Sequence, residues 1–528
     1  MFKSIISVAA LLLAVTAEPL PALSPRQEDL EATLASVQGA GARITPARAT
    51  CEVLRLVFPQ FTSFNGSTAY TEDNTNFWTA ASALGPACIF APNRPDAMAT
   101  AVRVLKLSKA PFAVRGGGHM PIADFNNIDS RGVLLSTTAL RQLSFSADKK
   151  TLNVGPGNRW RDVYNFIEPE GVAVVGGRVG PVGVPGFILG GGVSYLGQEY
   201  GWAVNNIASV QAVLADGRVV IANAQNQFSD LFWAVKGGGN SFAILTSVEL
   251  NTYPAPALTI GDQVYGGDEV KNRWFDAIVN QAIYGSQDAK HAVTPIANRR
   301  PSSTGDAISY SAALFYNGDN NRPAILQNWT APNLVPIAGS QNLTKKTLAF
   351  YVGETAASFE GTRGLRQRFY IKNIPANREA LEIAHNTFFD LANTRLVSAQ
   401  IFSIAFAAMP MTTSFFQNAI NRGGDPMSVK PEPQIWIEFS HTYRRAEDEP
   451  LFDSYLRELD TALTTALNSA GFSENRFIYL NDAERFQDVF AGYPAANVQR
   501  LKQIRNKYDP SRLLTDQLVG GWKVDPRR

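Results

Sequence analysis

Two runs of glycine constrain this chain more than any other feature of its 528 residues. The first lies in residues 111–120, PFAVRGGGHM, where a short apolar strand (Phe112, Ala113, Val114) gives way to Arg115, Gly116, Gly117, Gly118 and His119. The second, residues 177–201, carries nine glycines in 25 positions, GRVGPVGVPGFILGGGVSYLGQEYG. Each glycine inside a helix costs roughly 0.5–1 kcal/mol relative to alanine, so a segment this dense is expected to be neither a regular helix nor a central strand. Its natural use is to bring backbone close to a ligand. Taken alone, GGGH reads as a tight turn with a surface histidine, and a glycine-rich loop can be purely structural. Two such loops, each beginning where a strand ends, suit an elongated ligand with a pyrophosphate, whose charge backbone amides can meet.

The remaining chain supplies an α/β frame for these loops. Apolar residues at helical spacing (Ala97, Ala101, Val104, Leu105) predict a helix with Asp96 as its cap, leading into the strand before the first glycine run. Strands are expected at 133–136, 151–154 and 172–175, with an amphipathic helix over 160–167 between the last two. Residues 208–215 and 218–222, joined by Asp216-Gly217, read as a hairpin with a type I′ turn. A short helix from Ser229 stops at Gly237, Gly238 and Gly239, and a strand over 242–250 follows. From about 257 to 470 the texture changes to helices (270–283, 378–391, 451–467) alternating with strands (308–315, 396–406, 434–439).

The bulk composition excludes several classes. Hydrophobic residues at 45% and charged residues at 18% suit a packed interior, and a net charge of +2 without a basic stripe gives no reason to expect nucleic acid. The opening MFKSIISVAALLLAVTA has the layout of a secretory signal peptide, and no later stretch approaches a membrane span. In such a compartment Cys51 and Cys88, the only cysteines, are expected to form a disulfide. Sequons at Asn65, Asn328 and Asn342 are compatible with glycosylation on surface loops. No Gly-x-Gly-x-x-Gly opening a βαβ unit, P-loop, zinc-protease or cysteine-zinc motif is present. The four histidines, His119, His291, His385 and His441, stand apart, which argues against a metal site. From the two glycine loops, a dinucleotide cofactor is the economical inference.

PFAVRGGGHM resembles the Arg-Ser-Gly-Gly-His-Ser loop of FAD-linked oxidases of the vanillyl-alcohol oxidase (PCMH-type) fold, and more narrowly of the berberine bridge enzyme-like group. VGVPGFILGGG (182–192), VLADGRVV (213–220), DLFWAVKGGGNSFAILTSVEL (230–250) and the terminal KYDPSRLL agree in order and spacing. The match is dense over residues 85–255 and at the C-terminus; the middle domain matches only in general character. The resemblance implies an α+β fold: a PCMH-type FAD-binding domain of two α/β subdomains and a substrate domain whose antiparallel sheet is covered by helices. The segments are a signal peptide (1–17), a leader (18–80), the FAD-binding domain (81–255), the substrate domain (256–470) and a C-terminal segment returning to the flavin (471–528).

The resemblance also assigns residues. His119 becomes the covalent attachment point of FAD. Arg115, Gly116, Gly117, Gly118, Met120, Gly183, Gly186, Gly190, Gly191 and Gly192 would line the cofactor, with Asn205, Ile207, Ile244 and Asn481 near its other parts. Many relatives carry a second flavin-linked cysteine where this chain has Val179, so attachment through His119 alone is implied. Val182 occupies the position of the dioxygen gatekeeper. Gly116 and Met120 replace serines of the family loop, and Asn205 replaces an aspartate.

Oxidation requires a base beside the flavin. Tyr479, in a Tyr-x-Asn motif with Asn481, is the first candidate. Glu438 is the second, since the period of two on a strand puts Gln434, Trp436 and Glu438 on one face. Either residue could instead be structural, Tyr479 packing on the flavin and Glu438 lying solvated on its strand. The expected activity is an oxidase taking a hydride from an alcohol, phenol-derived or heterocyclic metabolite, with oxidative cyclisation as a variant, and giving hydrogen peroxide from dioxygen. A carbohydrate oxidase acting at an anomeric carbon is the alternative, and a metabolite-binding scaffold without catalysis the third. A monomer, secreted or routed to a secretory vesicle, is expected.

Overall fold

The computed structural model describes residues 25–39, 44–255, 258–301, 307–473 and 475–526. The expected signal peptide lies outside them. Among the described residues three sheets organise the chain. In the first, three strands run parallel, Cys88–Phe90, Val133–Ser136 and Phe112–Arg115, with Thr62–Ser63 antiparallel at one edge. The helix Pro95–Ser108 crosses between parallel strands, as such pairing requires. Its apolar stripe (Val102, Leu105) shares a core with Leu30 and Leu34 of the helix Gln27–Gly39 and with Leu54 of the helix Pro46–Val57. Cys51 is bonded to Cys88, fastening that second helix to the sheet.

The segment expected as a leader, 18–80, thus holds regular helices among its described residues, and the strand Thr62–Ser63 carries the first sheet across the expected boundary at 80. Asp96 is not the helix cap. Arg94 holds that position, and Asp96 in the first turn pairs with its guanidinium at 2.9 Å.

The second sheet is antiparallel, in the order Leu143–Phe145, Thr151–Val154, Ile244–Pro254, Ile207–Val213, Val219–Asn223, with Val172–Val174 also paired to the long strand 244–254. Only one of the two expected α/β subdomains therefore has a parallel sheet. The hairpin turn also differs from expectation. Gly217 alone has positive φ (+83°), and its N–H bonds to Leu214 O at 2.9 Å; a type I′ turn needs both central residues there.

The third sheet has eight antiparallel strands. From Ile308–Asn317 it runs through His291–Arg299, Ile401–Met411 and Gln434–Tyr443 to Arg366–Pro375 at one edge. One face is covered by the helices Val270–Tyr284, Arg378–Arg395 and Glu449–Ser469, which bury Trp274, Phe388 and Leu456 against it. The helix ending at Arg395 and the strand beginning at Ile401 displace the strand expected from 396. The period of two decides what each face holds. Along Gln434–Tyr443, residues Ile435, Ile437, Phe439 and His441 face the helices, and Trp436 joins the core that contains Leu152, Val210 and Leu245 of the second sheet.

Asn65 and Asn342 are exposed, whereas Asn328 is half-buried in the short helix Ala324–Trp329. Among the described residues no helix is long and apolar enough to cross a membrane.

Candidate active site

Where the strand Phe112–Arg115 ends, the chain turns through Gly116–Gly118 against the second glycine segment. The two loops touch through backbone: a Cβ on Gly117 would lie 2.4 Å from Gly183 Cα, and one on Gly183 would lie 2.3 Å from Gly117 N. Both positions need glycine for this approach. The second segment is not wholly loop. Residues Val184–Leu189 form a short helix, in which Pro185 takes an early position suited to its missing N–H.

The two glycine loops, the strand 434–443 and the C-terminal segment around Tyr479 enclose a cavity of about 310 Å³. Gly116, Gly117, Gly118, His119, Met120, Val182, Gly183, Gly186, Ile244, Glu438, Tyr479 and Asn481 all line it, as does Val179. Six expected cofactor contacts do not. Arg115 is fully buried behind the loop, where it pairs with Asp73, donates to Ser136 Oγ at 2.8 Å and lies over the Phe77 ring. Gly190 backs onto Asn481 instead of the cavity. A Cβ there would meet the Asn481 amide at 2.2 Å. Gly191 and Gly192 turn the chain with φ of +101° and +84° against Met427 and Phe187. Asn205 donates to Gly424 O at 3.1 Å, and Ile207 is core.

The catalytic candidates converge from separate elements. Tyr479 packs against Trp202 and Trp436 at 5.6 and 5.8 Å, and the two indoles lie 5.5 Å from each other. Its Oη accepts two hydrogen bonds, from Val193 N–H at 3.1 Å and Asn481 Nδ2 at 2.9 Å. Donors aimed at a phenol oxygen favour the phenolate, while burial, and then the nearby Asp482, push the pKa up. Asn481 also donates to Phe187 O at 3.1 Å, which fixes its amide.

Glu438 does not stand in the cavity alone. Asp482, one residue beyond Asn481 in the turn Leu480–Asp482, faces it as a second carboxyl. Among the described residues neither side chain makes a hydrogen bond or ion pair, and Asp482 Oδ2 is buried without a partner. Burial first, then mutual repulsion, holds the pair well above the ordinary carboxyl range, while Arg178 opposes this. Arg178 is held by Thr294 Oγ1 at 3.3 Å and Met409 Sδ at 3.1 Å. Sequence reasoning missed Asp482 and Arg178, although both sit inside segments it had singled out. His441 faces away, boxed in by Phe388, Phe452 and Tyr455.

The cavity suits a flavin dinucleotide. Asn126 Oδ1 and Trp522 Nε1 line it as a buried acceptor and a buried donor without partners. A Cβ at Gly186 would project into open space. Among the described residues no cluster of side chains could hold a metal ion.

Residues 86–223 match the family described as "FAD binding domain". Over 502 residues the chain is 31% identical to a protein named FAD-dependent monooxygenase prx3 from Penicillium roqueforti, covering 92% of this chain and 96% of that one. The chain belongs to this family of FAD-dependent oxidoreductases. A bifunctional solanapyrone synthase from Alternaria solani is 32% identical over 457 residues, 86% of this chain and 85% of its own. Berberine bridge enzyme-like 1 of Physcomitrella patens has the same fold, with a TM-score of 0.73 at 18% identity over 90% of this chain and 99% of that one. The protein is therefore an FAD-dependent oxidoreductase with the PCMH-type fold.

Proposed function

We propose that this oxidoreductase is an oxidase with FAD attached through His119 alone. It takes a hydride from a small alcohol, phenol-derived or heterocyclic metabolite, with oxidative cyclisation open to the product, and dioxygen is the electron acceptor. The observation that carries the reading is the meeting of His119, Tyr479 and the Glu438–Asp482 pair in one cavity. FAD bound there supplies the hydride acceptor. The chain's own part is to orient substrate, exclude water and take a proton. Tyr479 Oη, with two N–H donors, and the carboxyl pair are the groups able to hold that proton. Val179, in the place of a second tethering cysteine, supports a single attachment. Val182 on the cavity wall supports access of dioxygen.

Acid precipitation of the purified protein tests attachment. Yellow colour is expected to stay with the wild-type pellet and to leave with His119→Ala. Anaerobic reduction followed by admission of air tests the oxidase reading. Absorbance recovery within seconds is expected, and recovery over hours would overturn it.

A further inference from the structure

His119 has no hydrogen bond among the described residues, yet its ring is held. One side lines the large cavity, and one face is covered by Trp78, with centroids 4.3 Å apart and planes 3° from parallel. Trp78 is itself fastened at several points. Its backbone N–H donates to Gly118 O at 2.9 Å, its indole N–H donates to Thr362 Oγ1 at 2.9 Å, and its ring packs on Phe359 and Phe369 at 6.0 and 5.4 Å. Trp78 lies between the helix Thr68–Thr75 and the strand Cys88–Phe90, beside the first sheet. Phe359 belongs to the helix Leu348–Glu360, and Thr362 to the turn leading into the strand Arg366–Pro375 of the third sheet. The stack on His119 is thus tied from both sides of the interface between the domains.

A stack suits a nucleophilic imidazole. A hydrogen-bonding partner would fix the ring by occupying a nitrogen, whereas an indole face fixes the plane and leaves both nitrogens free. A small void behind the ring is lined by Arg159 and Arg363 as well as Glu360. Arg159 donates to Gly117 O and Asn76 Oδ1, both at 2.9 Å, and Arg363 to the same Asn76 oxygen at 3.1 Å. Burial, and then these two cations, lower the His119 pKa to about 3, so the ring keeps its lone pair near neutrality.

We propose that Trp78, anchored by Thr362, is the positioning residue that presents His119 edge-on to the cavity for bonding to the flavin. The inference rests on the attachment through His119 proposed above. In that reaction an imidazole nitrogen forms one C–N bond to the carbon of the flavin's aromatic methyl group. The methyl carbon and the imidazole each give up one hydrogen, and the two electrons and two protons pass by way of the flavin to dioxygen, giving hydrogen peroxide. Trp78 contributes no atom to this exchange. It removes the rotations that would carry the ring out of line, and because Thr362 lies in the other domain, attachment requires the third sheet to be docked.

The test follows acid-stable flavin by intact-protein mass after FAD is added to full-length protein from riboflavin-limited cells. Wild type, Thr362→Val, Trp78→Phe and Trp78→Leu are compared. Loss of a well-placed reactant geometry costs up to about 10²-fold in rate, the slowing expected for Trp78→Leu. Thr362→Val, which removes the hydrogen bond accepted from Trp78 and the one donated to Phe359 O at 2.9 Å, is expected to slow attachment by roughly fivefold. Trp78→Phe keeps a stacking face and should recover most of the rate lost in Trp78→Leu. Initial non-covalent FAD affinity, read by fluorescence quenching, should be unchanged throughout. If Trp78→Leu fails to fold, Thr362→Val carries the test. Wild-type rates in the variants would overturn this inference alone. A wild type that releases all its flavin into acid would overturn the attachment reading, and this inference with it.

Discussion

At the scale of single residues the chemistry turns on two carboxyls. Glu438 stands at the end of an argument from alternation, and Asp482 joins it only because the C-terminal segment folds back over the strand 434–443. Two carboxyls facing each other in an enclosed cavity give up their last proton reluctantly. If Glu438 is the base, the rate of flavin reduction by substrate must climb with pH through that last ionisation, above the ordinary carboxyl value of about 4. Glu438→Gln is expected to lower single-turnover reduction by about 10²-fold or more and to abolish the climb. Asp482→Asn removes the like charge and should move the climb to lower pH. Profiles unchanged in both variants would exclude the pair from catalysis. The same scale shows what the sequence could and could not reveal. Glu438 was legible because a strand's period fixes its face. Asp482 was not, since its partner is 44 positions away in the chain and only folding joins them. Arg115 misled because adjacency to a loop does not fix where a long side chain points; Asp73 and Ser136 draw it behind the glycines.

At the scale of elements the site depends on how firmly the C-terminal segment is fastened to the third sheet. Arg368, on the strand Arg366–Pro375, donates to both oxygens of Glu484, at 3.1 and 3.0 Å, two residues beyond Asp482. The two side chains are 8% and 2% exposed, so this fork is almost dry. Removing one partner of such a pair strands the other and typically costs about 3–5 kcal/mol. Arg368 keeps Asp453 at 2.6 Å, which places Glu484→Ala at the lower end of that range. The expected loss, about 3 kcal/mol by urea unfolding, should come with slower flavin reduction as the segment carrying Tyr479 and Asp482 loosens. A variant as stable as wild type would show that the fork does not fasten the segment. Elements with strong periodicity were the readable ones: the helices near 160, 270, 378 and 451 and the strand at 434 fall where their apolar spacing puts them. The short helix Val184–Leu189 was hidden because high glycine content argues against helix on average, while a six-residue turn started by Val184-Pro185 escapes the average.

At the scale of the whole molecule, burial of histidine couples stability to pH. His441 is 0% exposed among aromatic rings, and burial, and then Arg368, lower its pKa to about 3. In the unfolded chain an imidazole titrates near 6.5. Between these values the unfolded state binds a proton that the folded state refuses, so His441 stabilises the fold fully above about pH 6.5 and loses that contribution as pH falls. The Glu438–Asp482 pair acts in the opposite sense, holding a proton when folded that it would release when unfolded, so its term declines as pH rises from about 4. The total curve mixes both signs, and only a difference isolates one group. His441→Leu leaves the acids in place and replaces the imidazole with an apolar side chain. From pH 7.5 to pH 5 the wild type should lose about 2 kcal/mol relative to this variant, by the proton-linkage slope for one such site. The wild type's urea midpoint should fall relative to the variant's as pH falls. Parallel curves would mean that His441 takes up its proton in the folded state, through water or a shift of the aromatic box around it.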